Sequence, residues 1–287
     1  MRSTSPPAEQ VAGHFGLGSV IGCTPITEGL MNPNWRLSTT GGTYAVKQLR
    51  DATPSAGRRQ QSVLPVLAAR GLPVPSVTGA EVDGHYYLVA PWMPGAHRTG
   101  SDLTLDACHG LGDLVGQIHS ELRELLPAPP SVADEPRTVD DARADLERLD
   151  GLAAAGRDDF DVFARAEIGR RLRLLDEIGH LRPPDDPDVR PAGWTHGDLT
   201  DLNLLFDGDT VSGVLDWDRL AVRPYGLEVV RTASVLFEVG DRARTAAFAA
   251  GSWPRPARGG ADGSAARRLV RPTPEVACAV SLTVMFS

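Results

Sequence analysis

The stretch that decides the fold is WTHGDLTDLNLLFDGDTVSGVLDWDR, residues 194–219. In it, Asp198 is followed five residues later by Asn203, and Asp216 comes directly after the apolar run 211–215. A carboxylate on a stiff loop can orient an attacking hydroxyl and take its proton. An amide oxygen and a second carboxylate suit a magnesium ion that is bound to phosphates. The spacing therefore indicates phosphoryl transfer.

Each of these residues also has a structural interpretation when it is taken alone. Asp198 could cap a turn, Asn203 is a common turn residue, and Asp216 could simply end a strand. Asp218 follows two residues later and could share a metal ion or only cap the chain. His196 is interpreted as a structural residue that pins the loop backbone by hydrogen bonds, and not as a base.

A hairpin upstream adds a cation to this set. Strands over 35–38 and 44–49 flank the turn 39–42, and alternation along the second strand places Lys47 between two apolar residues on one face. A lysine on an apolar face is costly unless it snorkels to the surface or meets an anion. Snorkelling is the better interpretation for Lys47 alone. The downstream acidic motif favours a phosphate partner instead.

Apolar periodicity and chain breakers predict a β-rich N-terminal part and a mostly helical C-terminal part. Beyond the hairpin, the first part contains a helix over 58–70 and strands over 77–81 and 85–90. It ends in a stiff connector, 91–95. Further helices are predicted over 105–125, 139–152, 160–178 and 227–238. The order of elements indicates an α+β class with two lobes.

Changes of composition along the chain suggest the domain boundaries. The predicted N-terminal lobe covers 13–95, and the predicted C-terminal lobe covers 96–250. Residues 1–12, rich in Ser and Pro, are expected to be a disordered lead-in. Residues 251–287 contain much Pro, Gly and Arg with little helical periodicity, and are expected to be a poorly ordered tail.

Bulk composition limits the classes of partner. A net charge of −8 argues against nucleic-acid binding, which requires a basic face, and is compatible with a cationic small-molecule acceptor. No apolar run is long enough to cross a bilayer, and the N-terminus lacks the apolar core of a secretory signal. We therefore expect a cytoplasmic protein without a membrane partner. The three widely spaced cysteines indicate neither a disulfide framework nor a zinc site.

The motifs together resemble those of the aminoglycoside phosphotransferase family, relatives of choline kinase with a protein-kinase-like fold. HGDLTDLN matches the family's H-x-D-x4-N motif, and VLDWD matches its [IV]-D-W-[DE] strand end. YAVK resembles the kinase lysine motif, and GLPVP resembles the segment after the helix of the first lobe. The resemblance runs from about residue 20 to residue 245.

The resemblance implies a role for each matching residue. Asp198 would be the catalytic base, Asn203 and Asp216 would bind Mg2+, and Lys47 would contact the α- and β-phosphates of ATP. The connector would be the adenine-binding hinge.

Nucleotide contacts are implied at two further places. The carbonyl of Pro91 and the amide of Met93 would pair with the adenine edge. The loop 28–34, which ends at Asn34, would cover the phosphates.

Two departures from the family pattern are visible. The family usually has a glutamate on the first lobe's helix that pairs with the lysine, and the corresponding residue here is Gln61. A neutral amide can hydrogen-bond Lys47 but cannot balance its charge. The family also continues with further helices that shape the acceptor pocket, which the sequence over 251–287 does not resemble.

The sequence thus predicts an ATP- and Mg2+-dependent phosphotransferase that phosphorylates a hydroxyl of a small molecule. An aminoglycoside or another antibiotic is the leading acceptor by family analogy. The alternatives are a metabolic kinase for homoserine, choline, methylthioribose or a sugar, and a nucleotide-binding pseudokinase, which the substitution at Gln61 and the atypical tail favour.

Overall fold

The computed structural model describes residues 7–27, 32–50, 54–127, 138–156, 158–181, 192–237 and 240–252. Part of the predicted phosphate loop, residues 28–31, lies outside these ranges. So does nearly all of the predicted tail, from residue 253 onwards.

An antiparallel sheet of five strands forms the first part of the chain, in the order β1-β2-β3-β5-β4. Its strands are β1 (Val20–Ile26), β2 (Asn34–Thr39), β3 (Gly42–Leu49), β4 (Thr78–Val82) and β5 (His85–Pro91). The predicted hairpin is confirmed as β2–β3, in which Asn34 lies opposite Lys47. The strand that carries Lys47 is central, because β3 also pairs with β5.

Helices cover both faces of this sheet. Helix α1 (Ala8–His14) buries Val11 completely in a cluster that includes Trp35 and Leu37 of β2. The expectation that residues 1–12 form a disordered lead-in is therefore wrong from Ala8 onwards. The expectation was wrong because the apolar pattern around Val11 is too short to predict a helix among the surrounding Ser and Pro residues.

The opposite face is packed by helix α2 (Pro54–Ala69), which buries Val63, Leu64 and Leu67. Its first residue is a proline, which suits the first helical turn because no partner is needed there for a backbone N–H. The buried residues of α2 also belong to one apolar cluster with Leu111 and Val115, which lie on the next helix, Leu105–Leu125. Helix α2 therefore packs against both the sheet and that helix.

The second part of the chain is mostly helical, which confirms the α+β class. Its helices are α3 (Leu105–Leu125), α4 (Val139–Ala155), α5 (Asp159–Ile178), α6 (Tyr225–Leu236) and α7 (Arg242–Gly251). Short strands interrupt them: β6 (Ala192–Thr195), β7 (Leu204–Asp207), β8 (Thr210–Val214) and β9 (Ala221–Pro224). β6 pairs with β9, and β7 pairs with β8, both antiparallel.

The chain divides into two compact units. One comprises residues 1–131 and 192–260, and the other comprises residues 132–191 and 261–287. All the predicted site residues belong to the first unit. The described part of the second is the α4–α5 pair, whose helices each begin with a capping box, at Thr138 and Asp158. The lobe boundary expected near residue 95 remains a prediction.

Within the described ranges, no helix is both long and apolar enough to cross a membrane.

Candidate active site

The loop that carries Asp198 is pinned from one side by a buried histidine. Strand β6 leads into His196, whose Nε2 lies 2.8 Å from the carbonyl oxygen of Leu215 and whose Nδ1 lies 3.2 Å from the amide nitrogen of Asp198. Because a carbonyl can only accept, Nε2–H donates to Leu215 and Nδ1 accepts from Asp198. Complete burial lowers the pKa of His196. This geometry agrees with the structural interpretation of the residue.

A second buried contact holds the same loop from below. Gly197 donates its amide hydrogen to Glu228 of α6, and Nε2–H of His119 on α3 donates to the other carboxylate oxygen at 2.5 Å. Burial raises the pKa of Glu228, but the hydrogen bond and charge of His119 outweigh it, and the pKa ends below its ordinary value. Gly197 has φ of +86°, and a Cβ there would lie 2.7 Å from the carbonyl oxygen of Arg219. Only glycine fits this position.

Asp198 and Asn203 lie against each other in the loop. Nδ2 of Asn203 donates to the carbonyl oxygen of Asp198 at 2.7 Å, so its amide oxygen is turned away from that contact. The Asp198 carboxylate accepts from Nη2 of Arg231 on α6 at 3.0 Å. The backbone of Asn203 in turn accepts from the amide of Leu215 at 2.8 Å. These bonds tie Asp198, Asn203 and the residue before Asp216 into one unit.

Asp216 and Lys47 form a close ion pair, although 169 residues separate them in sequence. Nζ of Lys47 lies 2.7 Å from Oδ1 of Asp216 and 2.5 Å from Oδ2 of Asp218. The Lys47 side chain is 16% exposed, so it does not snorkel to the surface. Burial raises the pKa of Asp216, but the neighbouring ammonium outweighs it and the pKa ends below its ordinary value.

Asp218 has more partners than the sequence suggested. Besides Lys47, it accepts from Nδ2 of Asn32 at 2.7 Å and from Nε2 of Gln60 at 3.0 Å. Asn32 also binds the backbone amide of Arg50 at 2.7 Å. Neither amide residue was singled out by the sequence, because a single Asn or Gln outside a motif carries no signal.

The adjacent glutamines of α2, Gln60 and Gln61, have different partners. Nε2 of Gln61 donates to the hydroxyl of Tyr86 at 3.0 Å, and among the described residues it makes no hydrogen bond to Lys47. Gln60 is the α2 residue that reaches the acidic cluster. Successive helical residues are rotated by about 100°, so adjacent glutamines point to different neighbours. Counting residues along the chain does not show which of the two glutamines faces the acidic cluster.

Two of the predicted nucleotide residues, Asn34 and Pro91, lie on the same sheet as Lys47. Asn34 faces Lys47 across the β2–β3 pair, and its Nδ2 donates to the carbonyl of Asn32 at 3.0 Å. Pro91 ends β5, and the amide of the next residue, Trp92, donates to Thr43 of β3 at 2.9 Å. Since successive residues of an extended chain turn their polar groups to opposite edges, the Pro91 carbonyl points away from β3. Adenine pairing by Pro91 and Met93 remains a prediction.

The metal-binding prediction depends on oxygen donors. No group of three His, Cys, Asp or Glu side chains suited to a metal ion occurs among the residues with described positions. The predicted pair, Asn203 and Asp216, offers an amide oxygen and a carboxylate, and both are ligand types that Mg2+ accepts. Mg2+ usually takes one or two carboxylates and completes its shell with water and phosphate oxygens. The residues present therefore fit this ion.

The model of the phosphotransferase enzyme family, APH, matches residues 22–263. The chain belongs to this family. The resemblance to phosphotransferases is thus confirmed over most of its length.

A curated homoserine kinase is similar to this chain. The homoserine kinase of Granulibacter bethesdensis is 24% identical over 219 residues, which are 71% of this chain and 61% of that protein. The chain thus spans about three fifths of the length of this curated relative.

Solved structures show the fold of this chain. An aminoglycoside-3'-phosphotransferase of type VIII is 21% identical, with a TM-score of 0.53 over 98% of this chain and 100% of that one. A spectinomycin phosphotransferase in complex with ADP and spectinomycin is 15% identical, with a TM-score of 0.58 over 85% of this chain and 78% of that one. The kinase-like fold is thereby confirmed.

Proposed function

We propose that this phosphotransferase is an ATP- and Mg2+-dependent kinase that phosphorylates a hydroxyl group of a small molecule. One observation carries the proposal: a continuous set of contacts joins Asp198 to Asn203, Asn203 to the residue before Asp216, and Asp216 to Lys47. This set brings a candidate base and two oxygen donors from the segment 198–216 together with a cation, Lys47, that lies 169 residues before Asp216 in the sequence.

The roles follow from the chemistry of each group. Asn203 and Asp216 would hold Mg2+, which when bound neutralises charge on the phosphates. Lys47 would exchange its contacts with the two carboxylates for contacts with the α- and β-phosphates. We assign nucleotide binding to residues 13–95, including Asn34 and the hinge atoms of Pro91 and Met93. Acceptor binding is assigned to residues 96–250.

Asp198 would act on the acceptor. The acceptor hydroxyl donates its hydrogen bond to the Asp198 carboxylate, which fixes its oxygen for attack. That oxygen forms a bond to the γ-phosphorus while the bond from this phosphorus to the β–γ bridging oxygen breaks. ADP leaves with the electron pair of the broken bond, and the hydroxyl proton passes to Asp198. No covalent bond to the protein forms.

Two acceptor classes are supported by different comparisons. The fold is shared with phosphotransferases named for aminoglycosides and spectinomycin, which supports an antibiotic acceptor and a role in resistance. The homoserine kinase has a higher identity to this chain, 24%, than the two solved structures, and it supports a metabolic acceptor. In either role the protein is proposed to act in the cytoplasm, where ATP is available.

Replacement of the proposed base tests the function. Asp198→Ala should lower acceptor-dependent ADP release roughly 10²- to 10⁴-fold, the usual contribution of a positioned general base. Binding of Mg2+-ATP, followed by calorimetry, should be retained. Asp207→Ala is the matched control, since this acid lies in the same segment but is exposed at the β7–β8 turn.

Three outcomes separate the hypotheses. An unchanged rate in Asp198→Ala would rule out its role as the base. Binding of Mg2+-ATP by the unmodified protein without ADP release from any acceptor would support a pseudokinase. Absence of nucleotide binding in the unmodified protein would rule out both the active kinase and the nucleotide-binding pseudokinase.

A further inference from the structure

An arginine that no motif includes lies beside the proposed base. Arg231 projects from α6, and its Nη2 donates to Oδ1 of Asp198 at 3.0 Å. The two side chains are partly exposed, 24% for Arg231 and 27% for Asp198. An acceptor hydroxyl that reaches Asp198 must therefore approach within a few ångströms of a guanidinium, since a hydrogen bond to the base is about 2.6–3.2 Å long.

The guanidinium is only partly satisfied by its surroundings. It carries five N–H donors, and Asp198 is its one hydrogen-bond acceptor among the described residues. Its Nε is buried and has no partner within the described part of the chain. Because Nε is enclosed by the protein, a bound group can reach only the terminal Nη donors of the partly exposed guanidinium, and oxygens supplied there would satisfy donors that Asp198 leaves free.

A second arginine borders the same loop. Nη1 of Arg223 lies 2.5 Å from the position that a Cβ on Gly197 would occupy, and it donates to the carbonyl of Arg219 at 2.7 Å. Glu228, an acid that contacts the same loop, is buried and already accepts from His119 and Gly197. Two guanidinium groups, those of Arg231 and Arg223, thus border the loop that carries Asp198.

We propose that the acceptor is a hydroxy acid, whose carboxylate binds Arg231 while its hydroxyl binds Asp198. The inference rests on the proposed function, because it assigns the substrate class of the same site. A carboxylate offers two oxygens in the plane that a guanidinium fork recognises, which gives both charge balance and orientation. A polycationic acceptor would place an ammonium group against Arg231, and an uncharged one would leave the fork unused.

Matched acceptor pairs test this assignment. Each pair differs by one carboxylate: L-homoserine with 3-aminopropan-1-ol, L-serine with ethanolamine, and D-glycerate with ethane-1,2-diol. ADP release is measured at saturating Mg2+-ATP, with kanamycin and spectinomycin as further acceptors. For at least one pair, kcat/KM should be roughly 10- to 100-fold higher for the acid, the range expected for hydrogen bonds to a charged group.

Variants of Arg231 separate recognition from mere positioning of the base. Arg231→Gln should reduce the preference for the acid to within about threefold, mainly through KM, and Arg231→Lys should retain part of it because the charge remains but the fork is lost. If Arg231 only positions Asp198, both members of a pair lose kcat by the same factor and the preference is unchanged. Arg170→Gln is the control, because Arg170 is an exposed arginine of α5 that pairs with Glu167.

The failures of the two proposals are distinguishable. The hydroxy-acid assignment is overturned if kanamycin, spectinomycin or an uncharged alcohol is used as well as the acids, or if Arg231→Gln keeps the preference. It is equally overturned if Mg2+-ATP binds but no acid is phosphorylated. Absence of Mg2+-ATP binding in the unmodified protein contradicts the proposed kinase function itself.

Discussion

Asp216 occupies a backbone conformation that side chains seldom adopt. Its φ is 58° and its ψ is 72°, in the left-handed region, where Asn and Asp are the most tolerated residues other than glycine. Asp83 is the other such residue among those described, with φ of 51°. Asp83 lies in an exposed turn before Gly84, whereas Asp216 contacts Lys47. Unusual backbone conformations of this kind persist where surrounding contacts hold them, often at functional sites.

This pair of residues gives a controlled test of the metal prediction. Asp216→Asn keeps a residue that tolerates the left-handed conformation but removes the charged ligand. We expect kcat to fall on the order of 10²-fold or more, as for loss of one electrostatic stabiliser, and the Mg2+ concentration for half-maximal rate to rise. Steady-state kinetics across a magnesium titration measures both.

Asp83→Asn is the control for backbone conformation and should leave the kinetics within about twofold, as expected for a surface change away from the site. If Asp216→Asn changed the kinetics as little as Asp83→Asn, the proposed role of the Asp216 carboxylate as a magnesium ligand would be contradicted.

Among the elements, helices α3 and α7 pack with their backbones in close contact. A Cβ on Gly112 of α3 would lie 2.1 Å from the carbonyl oxygen of Phe248 on α7. A Cβ on Gly251 would likewise lie 2.5 Å from the carbonyl oxygen of His109 on α3. Real Cβ atoms do not approach backbone so closely, so the two helix backbones depend on these glycines for their contact.

Two glycines on the same helix should respond to alanine with opposite signs. Gly112→Ala should lower the free energy of unfolding by about 1–3 kcal/mol, because the added methyl group forces α7 away from its packed position. Gly110→Ala should raise it by up to about 1 kcal/mol, since alanine favours helix and nothing lies within 4 Å of the new Cβ. Urea denaturation of both variants measures the difference, and destabilisation by Gly110→Ala of equal size would contradict the packing argument.

At the scale of the whole molecule, two buried groups make stability depend on pH. His196 and Glu228 both have a pKa below the ordinary value in the folded state, His196 because of burial and Glu228 because His119 and Gly197 outweigh its burial. In each case the unfolded chain binds a proton at a higher pH than the folded chain does. Stability is therefore present above the unfolded-state pKa and declines as pH falls through the interval between the two values.

Acidification should thus weaken the fold in two stages. Below about pH 6.5, the ordinary value for histidine, His196 should reduce the free energy of unfolding by up to about 1.4 kcal/mol per pH unit, the slope for one proton. Glu228 should add to the decline below its own ordinary value, near 4.5. Urea denaturation between pH 8 and pH 4 measures the profile.

His196→Gln should remove the first stage, because its amide can donate and accept like the imidazole but does not titrate in this range. His85→Gln, at an exposed residue of β5, is the control. A profile for His196→Gln that is parallel to the unmodified protein between pH 5 and pH 6.5 would contradict the assignment.

Local patterns predicted most of the elements and the order of the candidate site residues. The hairpin with Lys47, the long helix over 105–125 and the segment from Asp198 to Asp216 depend on alternation, helical spacing and turn residues, all of which are properties of neighbours in sequence. The helix at Ala8–His14 was missed because its stability comes from Trp35 and Leu37, which are distant in sequence. That Gln60 contacts Asp218 while Gln61 contacts Tyr86 could not be predicted, because counting residues does not determine the rotation of a helix.

Short motifs and their order are enough to predict the α+β class, the phosphotransferase family and the residue types that phosphoryl transfer requires. The partners of those residues became known from the folded chain alone. The bonds from Arg231 to Asp198, from Gly197 to Glu228 and from His119 to Glu228 span 33, 31 and 109 residues. Contacts over such distances are created when α3 and α6 pack beside the loop that carries Asp198, and no local pattern carries that information.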